Sequence, residues 1–294
     1  MLSNLTPQLF FGQMLIGLIN GSFYAMLSMG LAIIFGLMNV VNFAHGVQYM
    51  LGAFVAWLLL NMLGINYWGA LVIAPIVVAC LGLVMERLVL KPLQNLDHLY
   101  SLLATYSVAL IVEGIVRQQY GSTGLPYQLP ISGGINLGFM FMPWYRLWVV
   151  VFSLVTCLGT WLLIEHTKLG AYLRAANENP AIVESFGINV PRMVTLTYAF
   201  GVGLAALSGV LAAPIYQVSP SMGSSIMIVI FAVVVIGGMG SIIGAVATGY
   251  LLGLAEALTK VFYPQGANMV IFVVMILALV LRPRGIFTSS EAAR

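Results

Sequence analysis

Apolar residues in this chain run in long blocks with short polar interruptions, where a water-soluble helix or strand would alternate them. Residues 1–85 carry no Asp, Glu, Lys or Arg, enough for three membrane spans of about 20 residues each, placed at 9–37, 43–62 and 68–85. Glu86-Arg87 and Lys91 to His98 form the first charged connection, and a fourth span follows at 99–116. Gly121, Gly124, Pro126, Pro130, Gly133, Gly134, Gly138 and Pro143 then punctuate a stretch that no single helix can hold, so 118–146 reads as an extramembrane loop. A fifth span at 147–164 opens on Trp144, Tyr145 and Trp148, an interfacial aromatic belt. Residues 193–255 are again uncharged and hold spans at 194–213, 226–236 and 242–258. The last span begins at Val261 or Met269 and ends at Leu281. The pattern predicts an all-α polytopic membrane bundle of about 8–10 spans, with interruptions near 39–42 and 237–241.

Composition agrees. The 294 residues are 61% hydrophobic and 6% charged, with a mean hydropathy of +1.05, against about 25% charged residues in ordinary globular domains. The chain is therefore read as one transmembrane domain, 1–294, with the lipid bilayer as its first partner. Its net charge of +3 is too small and scattered for nucleic acid. The first basic residue is Arg87, so the apolar start lacks a signal peptide's basic region and reads as a retained span. Cys80 and Cys157 sit in apolar runs as small packing residues. Basic residues set the orientation. With 165–192 inside, Arg87, Lys91, Lys168, Arg174, Arg192, Arg282, Arg284 and Arg294 lie on the cytoplasmic side and Arg117, Arg146 and Lys260 on the other. The N-terminus and the loop 118–146 then face the periplasm and the C-terminus the cytoplasm.

The segment 165–192 is a polar island holding Glu165, Glu178, Glu184, Lys168, Arg174 and Arg192. Its second half carries helix punctuation: Asn179 as N-cap, Pro180 at the first helical position, Gly187 as a left-handed stop, and Glu178 at the positive end of the dipole. Ile182, Val183 and Phe186 fall on one side. A helix of two turns is marginal alone, so a partner or the membrane domain must order it.

Inside the apolar blocks, Asn39, Asn42, His45 and Gln48 recur every three residues. On a straight helix each step drifts by about 60°, so either the segment is irregular or only neighbours share a face. Polar groups avoid lipid, so these point inward, as packing glue or as lining of a solute path. Glu113 and Glu256 each have a base four residues on, Arg117 and Lys260, in the orientation of a helical ion pair. The pairs Gly17/Gly21, Gly240/Gly244 and Gly249/Gly253 carry the spacing of close helix packing. No Gly-x-x-x-x-Gly-Lys-Ser/Thr sequence occurs, so any ATP that drives this chain binds another subunit.

Five blocks resemble one family: Gly17-Leu-Ile-Asn-Gly-Ser-Phe-Tyr-Ala-Met26, Asn42-Phe-Ala-His-Gly-Val-Gln-Tyr-Met-Leu-Gly52, Leu173-Arg-Ala-Ala-Asn-Glu-Asn-Pro180 with Gly187-Ile-Asn189, Val235-Ile-Gly-Gly-Met-Gly-Ser241, and Leu281-Arg-Pro-Arg-Gly-Ile-Phe287. In this order they resemble the LivH-type permease subunits of bacterial ABC importers for branched-chain amino acids. One departure is Ser241-Ile-Ile-Gly244, where many relatives are expected to carry a proline. The resemblance implies a non-enzymatic half-pore in the inner membrane, partnered by a LivM-like second permease, two cytoplasmic ATPases that bind ATP and Mg, and a periplasmic solute-binding protein. It implies that Arg174, Asn177, Glu178, Asn179, Pro180, Ile182, Val183, Phe186 and Gly187 couple to the ATPase, and that Gly237, Gly238, Gly240, Ser241 and Gly244 form a helix break. Related permeases serve urea, amides and aromatic acids. From the residues alone, a self-sufficient secondary transporter or channel is the competing class; an intramembrane hydrolase would need a partner for His45 that the sequence does not supply.

Overall fold

The computed structural model describes residues 7–38, 40–94, 96–138, 140–267 and 269–287. Asn39 and Arg294, both singled out above, lie outside the described residues. Seven helices are long and apolar enough to cross a membrane: α1 (Pro7–Met38), α2 (His45–Leu63), α3 (Tyr67–Leu93), α4 (His98–Tyr120), α5 (Trp144–Glu165), α8 (Val190–Ala212) and α10 (Ile242–Phe262). Two shorter apolar helices, α9 (Met222–Gly237) and α11 (Val270–Leu281), fall on the two remaining apolar blocks. Two short helices, α6 (Lys168–Glu178) and α7 (Pro180–Ser185), lie between α5 and α8. The connection between α4 and α5 is shorter than the 118–146 read from the sequence and holds a small antiparallel hairpin, β1 (Gly134–Asn136) with β2 (Phe141–Pro143), Ile135 opposite Met142. Its Tyr145 neighbour is fully buried, so the aromatic belt is only partly interfacial.

The chain divides into two compact units. One, residues 30–128 and 159–228, is built on α2, α3 and α8 packed together. Lipid tails are as apolar as Leu, so these helices associate through close packing more than through a hydrophobic difference. Small residues provide it. A Cβ added at Gly52 would strike the backbone of Ala206, one at Gly209 the carbonyl of Tyr49, and Gly46 and Gly223 exclude a side chain on each other. Around them Ile34, Val78, Leu90, Tyr198, Val202 and Ala206 form a buried cluster. The loop after α4 is tied down by a bridge between Leu125 and Val218, 2.8 and 3.0 Å. Beside it Tyr127 is buried near Tyr67, which pushes its hydroxyl up to about 12, desolvation being the larger cause.

The other unit, residues 1–29, 129–158 and 229–294, joins two motifs that the sequence leaves separate. Gly17 and Gly21 meet Gly253 backbone to backbone, and Gly249 meets Ala25. Alongside, Glu256 receives Lys260 at 2.6 Å and the Tyr24 hydroxyl at 2.8 Å, and Tyr250 lies within 3.3 Å of both Ser22 and Ser153. Glu256 is thus a satisfied helix-pair residue, as the i,i+4 spacing suggests. In the first unit Glu113 and Arg117 also pair, at 2.6 Å. Cys157 is buried, as a packing residue would be, whereas Cys80 is exposed.

Helix-interior alanine normally stabilises relative to glycine, so a loss on Gly→Ala isolates the steric demand. Gly209→Ala is expected to lower the melting temperature or yield of the purified assembly, at a cost of about 1–3 kcal/mol from overpacking. Gly159→Ala, where nothing lies within 4 Å, should leave the melting temperature unchanged or raise it slightly in the same thermal assay.

Candidate functional site

Three places in the first unit gather the chemistry. The first is the interruption between α1 and α2. Residues 40–44 leave the helical path, which answers the choice posed by the three-residue spacing: the segment is irregular. On one straight helix Asn42 and Gln48 would point about 120° apart. With Asn42 off the helix, both reach the Tyr198 hydroxyl of α8, each amide nitrogen at 3.1 Å. That hydroxyl donates toward the Met85 sulfur at 3.7 Å, so its two lone pairs and its proton are all engaged. Asn42 and His45 are 1% exposed and Gln48 is 4% exposed, pointing inward as expected. The His45 ring lies against Gly30, where an added Cβ would come within 3.2 Å of it.

The break also leaves backbone donors that hydrocarbon cannot satisfy. Ala44 N–H donates to the Asn42 carboxamide at 3.1 Å, Phe43 N–H to Thr105 Oγ1 at 3.2 Å, and His45 N–H to the Asn42 carbonyl at 3.2 Å. Asn42 therefore holds both sides of the interruption, its oxygen the chain and its nitrogen α8.

The second place was not legible beforehand. α3 widens into a π-helical turn at Glu86–Leu90, Lys91 N–H bonding the Glu86 carbonyl. Pro92 follows, and its ring would clash with a carbonyl four residues back in a regular helix; a widened turn relieves that clash. The same turn carries the Glu86 side chain inward, 1% exposed, where its carboxylate accepts from Thr195 Oγ1 of α8 at 3.2 Å. A proline inside an otherwise helical run is the signal that locates such a turn, whereas Glu86 read only as part of a charged connection.

The third is the polar island. Asn179 caps α7 as its sequence indicates, accepting from Ile182 N–H at 3.2 Å, with Pro180 at the first position and Gly187 at φ +82°. Arg174 to Gly187 is not one helix, however: Arg174, Asn177 and Glu178 end α6, and Asn179 breaks the chain in extended backbone (φ −150°, ψ 94°) before α7. Nor do Ile182, Val183 and the C-cap residue Phe186 share one face. Val183 is buried with Ala176 and Val190, next to Ile188, Met193 and Val194, whereas Ile182 is 56% and Phe186 79% exposed. One residue anchors the helix to its own island and two stand outward. Arg174 and Glu165 pair at 3.2 Å with both side chains half exposed, a contact of small energetic weight.

In the other unit the Gly237–Ser241 break is closed by the chain's own far end. Gly238 and Gly240 take φ +104° and +88°, and Ser241 caps α10 by accepting from Gly244 N–H at 3.1 Å. The terminal carbonyls of α9, on Ile236 and Gly237, receive the N–H groups of Ile286 and Phe287 at 2.9 and 3.2 Å. Gly285, at φ +93°, sits so close to Gly238 that no side chain fits. Two of the motif blocks, 235–241 and 281–287, are thus halves of one closure.

Residues 13–279 match the family described as branched-chain amino acid transport system, permease component. The chain is similar to the high-affinity branched-chain amino acid transport system permease protein BraD of Pseudomonas aeruginosa, 31% identical over 96% of this chain and 97% of that protein. LivH of Escherichia coli K12 is 29% identical, with 97% of each chain covered. LivH of Salmonella typhimurium is 30% identical at the same coverage.

The α7 cap is separable from the rest. Asn179→Ala is expected to cost about 1 kcal/mol of local helix stability, read as roughly fivefold faster hydrogen exchange at the Ile182 and Val183 amides, with exchange in α8 unaltered. Unchanged exchange would mean that Asn179 does not hold the helix start.

Proposed function

Because the chain belongs to the family of branched-chain amino acid transport system permease components, we propose that it forms half of the translocation pathway of an ATP-driven importer for branched-chain or related hydrophobic amino acids. The observation that carries this reading is the match over nearly the whole span region. Its partners are a second, LivM-like permease, two cytoplasmic ATPases holding ATP and Mg, and a periplasmic solute-binding protein, in the bacterial inner membrane. Asn42, His45 and Gln48 border the solute route, because buried polar side chains at a helix break turn away from lipid.

The segment α6–α7 docks on an ATPase. In support, Ile182 and Phe186 stand exposed on a polar loop, an arrangement that water disfavours and a partner's groove would cover. Val183 and Val190 are packed together behind them, so a force on α7 has a route into α8. Opening and closing of the ATPase would then reach the membrane through this contact.

Phe186→Asp places a charge where a desolvated contact is expected, at about 2 kcal/mol or more. In the reconstituted complex it should lower uptake of leucine and solute-stimulated ATP hydrolysis together, while the permease still assembles with its second permease. A cysteine in place of Ile182 should crosslink to an ATPase subunit. Unchanged turnover, or no crosslink, would show the island to be a surface loop.

Orientation is tested separately. Ser122 and Ser185 are both exposed, and single cysteines there should react with an impermeant thiol reagent from opposite sides of the membrane, Ser122→Cys from the periplasm. Labelling from one side would reverse the assignment drawn from the basic residues.

A further inference from the structure

One ridge of α8 runs unbroken from the island to the bundle. Val190, Val194, Tyr198, Val202 and Ala206 succeed one another at four-residue steps, the spacing of a single helix row. The first two pack with Val183 of α7; the last three belong to the buried cluster with Ile34, Val78 and Leu90. Val202 and Ala206 pack by close contact, Val202 against Gly82 and the Ala206 backbone against Gly52, contacts that no side-chain hydrogen bond directs. Tyr198 differs: its hydroxyl holds Asn42 and Gln48 at 3.1 Å each and reaches Met85, contacts that weaken steeply when misaligned. Beside it Thr195 is held by the buried Glu86 carboxylate at the neighbouring position of α3.

We propose that Tyr198 is a positioning residue for transport, through which displacement of the α7 island along α8 repositions Asn42 and Gln48 at the α1–α2 break, with the Glu86–Thr195 bond steadying the same turn. The proposal rests on the coupling role of α7 stated above and adds the side chain that receives the motion. A merely structural tyrosine would brace the bundle independently of α7; a relay acts in series with it.

A double-mutant cycle separates the two. The complete complex, with both permeases, ATPases and binding protein, is reconstituted in liposomes, and leucine uptake, ATP hydrolysis and melting temperature are measured for Tyr198→Phe, Phe186→Asp and the pair. Loss of one buried hydroxyl's bonds predicts a fall in uptake of about tenfold for Tyr198→Phe, with fewer leucines carried per ATP hydrolysed. If Tyr198 lies in series with Phe186, the pair falls no further than the lower single variant. If the effects multiply, or Tyr198→Phe carries leucine at the wild-type rate, the relay is overturned while the docking role of α7 stands. If Phe186→Asp alone has no effect, the docking role fails and the relay with it. Should Tyr198→Phe not assemble, Thr195→Val takes its place in the cycle, with the same non-additivity expected and the same multiplicative result overturning the proposal.

Discussion

In hydrocarbon there is no water to receive a backbone amide, so each place where a helix stops must supply its own partners. Two of the helix stops inside long apolar sequence, among the described residues, show how such a stop is satisfied. At the α1–α2 interruption the N–H groups of Phe43, Ala44 and His45 end on Thr105, the Asn42 side chain and the Asn42 carbonyl. At the other, the carbonyls of Ile236 and Gly237 are met by Ile286 and Phe287. The two solutions differ in kind. The first recruits side chains from α4 and α8, so it depends on where those helices lie. The second is backbone to backbone, needs glycines at positive φ on both sides, and is fixed by chain geometry.

That difference suits different tasks. A closure made from side-chain amides and a phenol has alternatives available to it, because Asn42, Gln48 and Tyr198 can exchange donors and acceptors as helices shift. A closure made from Gly238 against Gly285 has no slack, since either a side chain or a different φ would open it. The first break therefore has room to rearrange, whereas the second is sterically closed within its own unit.

Much of this architecture is legible in the sequence, for a physical reason. Membrane spans are specified by length and apolarity alone, and the nine apolar blocks correspond to nine helices among the described residues. The cap at Asn179, the stop at Gly187 and the i,i+4 pairs at Glu113 and Glu256 are likewise local, and each has the partner its spacing indicates. What the sequence does not carry is meeting across distance. Nothing near Asn42 or Gln48 announces Tyr198, more than a hundred residues away. The blocks at 235–241 and 281–287 read as separate motifs until their backbones are seen paired. The π turn is intermediate: Pro92 is a local signal, but the burial of Glu86 follows only from α8 lying opposite. The split of α7, with Val183 inward and Phe186 outward, depends on Ala176 of a helix the polar pattern conceals.

The island also explains why so few charges suffice. Packing within the membrane is governed by small residues and the satisfaction of polar groups, neither of which needs ionised side chains, so charge is free to concentrate where water is. Among the described residues, the charges on Glu113 and Glu256 are paired with Arg117 and Lys260, and Glu86 is hydrogen-bonded by α8. Glu86 departs from this economy, since burying a carboxylate is costly unless its partners are in place. Thr195 supplies one such partner, on the turn of α8 that lies between the island's apolar cluster and the break at Asn42. The bond between the buried Glu86 side chain and the Thr195 hydroxyl makes that turn sensitive to the register of α8 against α3, and register is what a push from the island along α8 would change.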